Sequence, residues 1–153
     1  MRQLINKRFH GLTSLYLLVA TIVTGTIAVG MDSIVYAVLY AAATIICLGY
    51  TVASFCSKCP CRSTNCGPVL FGPLTRFFPQ RSSGPYTKQD IYLRNIALFL
   101  IFMIPQFWLI HHPVMLITFW ILAIVRFIHL MKYVCVSCEN SFCKAEMKLI
   151  KYL

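Results

Sequence analysis

The sequence predicts an all-α protein: a four-helix transmembrane bundle made of two helical hairpins, each followed by a cysteine-rich segment on the cytoplasmic side. Composition is the first reason, because 59% of the residues are hydrophobic and 12% are charged. In an average soluble domain about 45–50% of the residues are apolar and about 25% are charged. A soluble monomer of this size would leave much apolar surface in water, so that class is excluded. The other two reasons are four long apolar runs and the placement of cysteines after the second and fourth runs.

Each apolar run is close to the length of about 20 residues that a helix needs to cross a bilayer. Because backbone groups in hydrocarbon must hydrogen-bond within the protein, runs of this length favour helices over strands. The predicted spans lie within one integral membrane domain, residues 1–153, and cover residues 11–30, 33–55, 92–110 and 114–131. Pro113 stands where the first turn of a helix tolerates proline. Pro105 is expected to kink the third span.

The basic residues predict the orientation of the four spans. The loops near Asp32 and His111 contain no Lys or Arg, and all 14 basic residues fall on the other side or within reach of it. Since short loops rich in Lys and Arg stay cytoplasmic, we expect both termini, the loop 56–91 and the tail 132–153 to lie in the cytoplasm. The net charge of +10 is then explained by topology and by contact with a lipid bilayer that carries anionic headgroups, and no nucleic-acid partner is expected.

Seven of the eight cysteines form two segments that follow the second and fourth spans. The first segment has the pattern C-x2-C-x-C-x4-C, and the second has C-x2-C-x4-C. A C-x2-C pair directs two thiolates to one metal, and the same ligands suit zinc and iron–sulfur clusters. We therefore predict a shared metal site, with zinc or iron–sulfur left open, whose ligands are Cys56, Cys59, Cys66, Cys135, Cys138 and Cys143.

Other interpretations of the cysteines stay open. Disulfides are disfavoured on the cytoplasmic side, where thiols are kept reduced, and reactive thiols or palmitoylation are further alternatives. The role of Cys61 is undecided, and Cys47 lies within the second span, where a cysteine packs as a small hydrophobic residue. The spacing of Cys56, Cys59 and Cys66 is similar to half of a binuclear zinc–cysteine cluster, but the second segment departs from that pattern.

Two histidines lie near the cytoplasmic ends of different spans. His10 opens the first span and His129 is near the end of the fourth. Paired imidazoles from two helices could ligate a haem, so a haem b site is an alternative cofactor prediction. His111 and His112 occupy the opposite loop, where polar residues are expected in any case.

The sequence favours a small non-catalytic membrane subunit that docks or electrically connects a larger membrane complex through its metal centre. The chain lacks acidic residues in the middle of its spans, which disfavours an ion-coupled transporter. Four spans and C-x2-C pairs resemble the vitamin K epoxide reductase and disulfide-bond-forming membrane families in those two features, which implies a thiol–quinone oxidoreductase as an alternative. A soft-metal carrier is a further alternative, with Cys47 and Met103 or Met115 as ligands inside the membrane.

Overall fold

A computed structural model describes residues 2–59, 74–79, 81–82 and 84–136, and this part of the chain is helical without strands. The last long helix, α5 (Pro113–His129), continues directly into a π-helical turn, Leu130–Cys135. Short 3-10 turns lie at Cys56–Lys58 and Thr75–Phe77. The α-helices are α1 (Arg2–Asp32), α2 (Ile34–Ser54), α3 (Lys88–Met103), α4 (Gln106–Leu109) and α5 (Pro113–His129).

Four stretches are long and apolar enough to cross a membrane, which supports the predicted multi-pass membrane protein. They are Phe9–Asp32, Ile34–Lys58, Lys88–Leu109 and Pro113–Cys135. The buried share ranges from 6% in the last of these stretches to 33% in the first. Most of the apolar surface therefore faces outward. A soluble protein rarely exposes such continuous apolar surface, whereas lipid chains cover it without cost.

The helix boundaries differ from the predicted spans for local reasons. Helix α3 begins at Lys88 instead of residue 92 because Thr87 and Asp90 form a capping box at its start. The Asp90 N–H donates to Thr87 Oγ1 at 3.3 Å, and the Thr87 N–H donates to Asp90 Oδ2 at 3.1 Å. Pro113 is the first residue of α5, as predicted. At Pro105, where the sequence predicts a kink, the third span divides into α3 and α4.

Neighbouring long helices run antiparallel. Helix α1 packs against α2 and α5, and α2 packs against α3. Only Ser33 lies between α1 and α2. Close to Ser33, a Cβ placed on Gly30 of α1 would lie 3.4 Å from the Cβ of Ala37 in α2. The start of α1, the end of α2, the start of α3 and the end of α5 consequently meet at one end of the bundle, which we call the basic end.

The centre of the bundle is organised around the interruption at Pro105. Proline has no N–H, so the carbonyl of Ile101 loses its usual helical donor. The buried Tyr40 hydroxyl donates to that carbonyl at 3.0 Å. Beside it, Gln106 Nε2 donates to the Phe102 carbonyl at 2.8 Å. Side chains of other residues thus satisfy the polar groups of the interrupted helix, as burial in a bilayer requires.

Candidate functional site

The charged side chains that the structure describes are concentrated at the basic end. Among the described residues, this end carries one acidic side chain, Asp90, whereas the opposite end has Asp32 and the pair His111 and His112 without any Lys or Arg. The basic residues here include Lys58, Arg81, Lys88, Arg94, Arg126 and Lys132. The two segments that carry cysteines leave the helices at this same end.

The first two cysteines lie in one tight turn at the end of α2. Residues Cys56–Lys58 form a 3-10 turn, and the N–H of Cys59 donates to the carbonyl of Cys56 at 3.1 Å. Both cysteines are half-buried. A short turn that links the two cysteines of a C-x2-C pair is the local arrangement by which such pairs bind one metal.

A buried carboxylate fixes the position of this turn. Lys58 Nζ lies 2.8 Å from Asp90 Oδ2, and Arg81 Nη1 lies 2.8 Å from Asp90 Oδ1. The Asp90 side chain is only 5% exposed. Asp90 therefore joins three segments: the cysteine turn through Lys58, the loop through Arg81 and helix α3 through its own backbone.

Aromatic contacts also support the same turn. The rings of Phe55 and Tyr86 stack with centroids 3.9 Å apart and an interplanar angle of 6°. The guanidinium of Arg94 lies 4.5 Å from the centre of the Phe55 ring, within the range of a cation–π interaction. Arg81 Nη1 also approaches the carbonyl of Ser54 at 3.4 Å. The residue before Cys56 is thus held between the loop and α3.

Sequence reasoning missed this assembly around Asp90. Two signals were present: Asp90 is one of only four acidic residues in a chain with 14 basic ones, and Thr87 precedes it at capping-box spacing. In an apolar chain with many cations, a carboxylate that becomes buried needs basic partners, and these can come from distant positions in the sequence.

The second cysteine segment begins at the end of the π-helical turn. Cys135 is the last residue of that turn and is half-buried. Of the other predicted ligands, Cys66, Cys138 and Cys143 lie outside the described residues, as does Cys61. Among the residues that the structure describes, no three His, Cys, Asp or Glu side chains are grouped to hold a metal ion. The shared cysteine site therefore stays a prediction.

The structure brings His10 and His129 together at the basic end. His10 Nδ1 lies 3.4 Å from His129 Nε2. Tyr133 stacks on the His10 ring with centroids 4.6 Å apart and an interplanar angle of 11°. A haem held by both histidines would have to enter between two rings that are here in direct contact. The haem alternative also stays a prediction.

Two buried nitrogen atoms near this contact have no hydrogen-bond partner in the described part of the chain. They are His129 Nδ1 and Arg126 Nε, one helical turn apart on α5. Buried polar groups normally find a partner. This part of the basic end therefore retains unused capacity to bind a polar or ionic group.

Comparisons with protein-family models, with curated proteins and with solved structures find no match for this chain.

Proposed function

We propose that this protein is a small, non-catalytic membrane subunit whose two cysteine segments hold a zinc ion or an iron–sulfur cluster at the cytoplasmic face. In this proposal the four spans form two hairpins, and the metal centre docks a larger membrane complex or connects it electrically. The observation that carries the proposal is the C-x2-C turn at Cys56–Cys59, which the ion pair between Lys58 and Asp90 fixes at the end of α2.

Antiparallel packing supports a joint centre. His10 in the N-terminal part of α1 contacts His129 at the end of α5, and α2 returns to the same end because only Ser33 lies between α1 and α2. The second cysteine segment therefore leaves α5 at the end of the bundle where the first leaves α2. Neighbouring helix axes are about 8–10 Å apart, a distance that short segments beyond the helices can bridge. Metal–thiolate bonds would then supply folding energy to segments that are too short for a core of their own.

The charge at the basic end suits thiolate ligands. Several deprotonated cysteines around a metal carry a net negative charge, and nearby cations lower the cost of that charge. Lys58 is adjacent to Cys59 in sequence, and Lys132 lies on the turn that ends at Cys135. The same cations favour a cytoplasmic location for this end, by the positive-inside rule.

Metal content in paired cysteine variants tests the centre. If the site is shared, Cys59→Ser and Cys138→Ser should each release all of the cysteine-bound metal, because every ligand belongs to one centre. Elemental analysis and an absorption spectrum of the purified protein provide the readout, and iron with visible absorbance would identify the cluster. Cys47→Ser, inside the second span, is the matched control and should keep its metal.

Additive partial losses in the two variants would show two separate sites and contradict the shared centre. A wild-type protein that contains neither zinc nor iron after purification under reducing, anaerobic conditions would contradict the metal proposal altogether.

Accessibility to a membrane-impermeant maleimide tests the orientation. In intact cells the wild-type protein should stay unlabelled, because its cysteines lie in the cytoplasm or inside the membrane. The variant Asp32→Cys places a thiol at the opposite end of the bundle and should be labelled, which shows that the reagent reaches the protein. Labelling of Cys56 or Cys135 in intact cells would show that the protein has the opposite orientation, and it would favour the thiol–quinone oxidoreductase instead.

A further inference from the structure

The contact between His10 and His129 has an unusual length. The two histidines are 119 positions apart in sequence and lie on different helices, and their facing nitrogen atoms are 3.4 Å apart. Hydrogen bonds donated by N–H groups usually have heavy-atom distances of about 2.7–3.2 Å. A hydrogen bond between the two rings is therefore long and weak at this separation.

The same distance matches two ligands of one metal ion. Zinc–nitrogen bonds of about 2.0–2.1 Å at a tetrahedral angle place two ligand nitrogen atoms about 3.4 Å apart. An ion would lie beside the line that joins the two nitrogen atoms, so it would not need to separate the rings. This geometry differs from that of haem, whose iron must lie between its two axial ligands.

The surroundings hold both imidazoles in place. Tyr133 stacks on His10, and its ring centre lies 5.1 Å from that of His129. In the described part of the chain, the second ring nitrogen of His129 is buried without a partner. Ionisable side chains within membrane spans are costly and tend to mark functional sites. Both histidines lie within the apolar stretches that are long enough to cross a membrane.

We propose that His10 and His129 form a bis-imidazole site for a divalent transition-metal ion, and that this ion links α1 to α5. Imidazole nitrogen is a preferred ligand of zinc, nickel and copper. Within the described residues the pair is not joined by a third His, Cys, Asp or Glu, so water or another donor completes the coordination. The site is separate from the proposed cysteine centre and does not depend on it.

Nickel binding to the full-length protein tests this site. The purified protein is stripped with a chelator in detergent, titrated with Ni²⁺, desalted and measured for retained nickel and for its thermal unfolding midpoint. We expect His10→Ala and His129→Ala each to retain one nickel fewer than wild type and to lose the stabilisation by nickel. The affinity should fall by at least about tenfold, since one of two protein ligands is removed. His111→Ala, at the opposite end, is the matched control and should behave as wild type.

Cysteine variants separate this proposal from the preceding one. Cys59→Ser and Cys138→Ser should keep the nickel that depends on the histidines, whether or not the cysteine segments bind metal. Loss of that nickel in either cysteine variant would contradict a separate site. Equal nickel binding by wild type, His10→Ala and His129→Ala would overturn the proposal. If an alanine variant fails to fold, His10→Asn keeps a polar side chain of similar size at the contact and gives the same comparison.

Discussion

Replacing Asp90 with alanine is expected to lower the free energy of unfolding by about 3 kcal/mol, because one partner of a buried ion pair is removed and its cation is left without compensation. Lys58 has a side chain that is only 11% exposed, so it bears most of this cost, whereas Arg81 is 44% exposed and is partly solvated. The capping box of α3 is lost as well. Chemical unfolding in detergent measures the effect, and faster tryptic cleavage after Arg81 provides a local readout.

Two variants make this result specific. Asp32→Ala removes an exposed carboxylate at the opposite end of the bundle and should change the stability little. Asp90→Asn keeps a side-chain acceptor for the cap but removes the charge, so its effect should lie between those of wild type and Asp90→Ala. Equal stability of Asp90→Ala and Asp32→Ala would show that the ion pairs do not hold the cysteine turn.

Replacing Gly25 with leucine is expected to destabilise the bundle by about 3 kcal/mol, at the upper end of the range for overpacked cores. A Cβ at this position would lie 3.2 Å from the Tyr40 hydroxyl, 3.3 Å from the Phe119 ring and 3.4 Å from the Cβ of Pro105. These neighbours belong to three other segments of the bundle, so a larger side chain must push several helices apart. Small residues in membrane helices permit this kind of close approach.

Gly49→Leu is the matched control for this substitution. Among the residues that the structure describes, the atom nearest to a Cβ at Gly49 is on the Phe78 ring at 3.9 Å, which is an ordinary contact. Leucine also has a higher helix propensity than glycine, so Gly49→Leu should be neutral or slightly stabilising. Thermal unfolding of both variants in the same detergent gives the comparison, and similar unfolding midpoints would contradict close packing at Gly25.

The helical architecture was predictable because it depends on length and hydropathy. Four apolar runs in the sequence correspond to the four stretches that are long enough to cross a membrane. Pro105 and Pro113 also acted as expected, since the missing N–H of proline has the same local consequence in any fold. The predicted positions of the helix ends were less accurate, because the start of α3 depends on the capping box of Thr87 and Asp90 and not on hydropathy.

The partners of distant residues were not predictable from the sequence. Nothing in the pattern indicates that the Tyr40 hydroxyl supplies the donor that Pro105 lacks, or that Lys58 and Arg81 converge on Asp90. Such pairings depend on which helix faces lie opposite each other, and in an apolar chain many faces have similar hydropathy. The meeting of His10 and His129 was anticipated as a haem alternative, but their direct contact required the packing of α1 against α5.

The packing of α1 against α5 determines when the bundle can be completed during synthesis. Helix α1 is synthesised before its partner α5, and α2, α3 and α4 lie between them in the sequence. The distance of 119 positions between His10 and His129 shows this separation. Until the ribosome has released α5, the matching face of α1 must be occupied by lipid or by an insertion factor. Contacts of such high sequence separation form late and slow assembly. A nascent chain arrested before Pro113 would therefore present an unpaired helix face, the kind of transiently exposed surface that makes incomplete chains prone to misassembly.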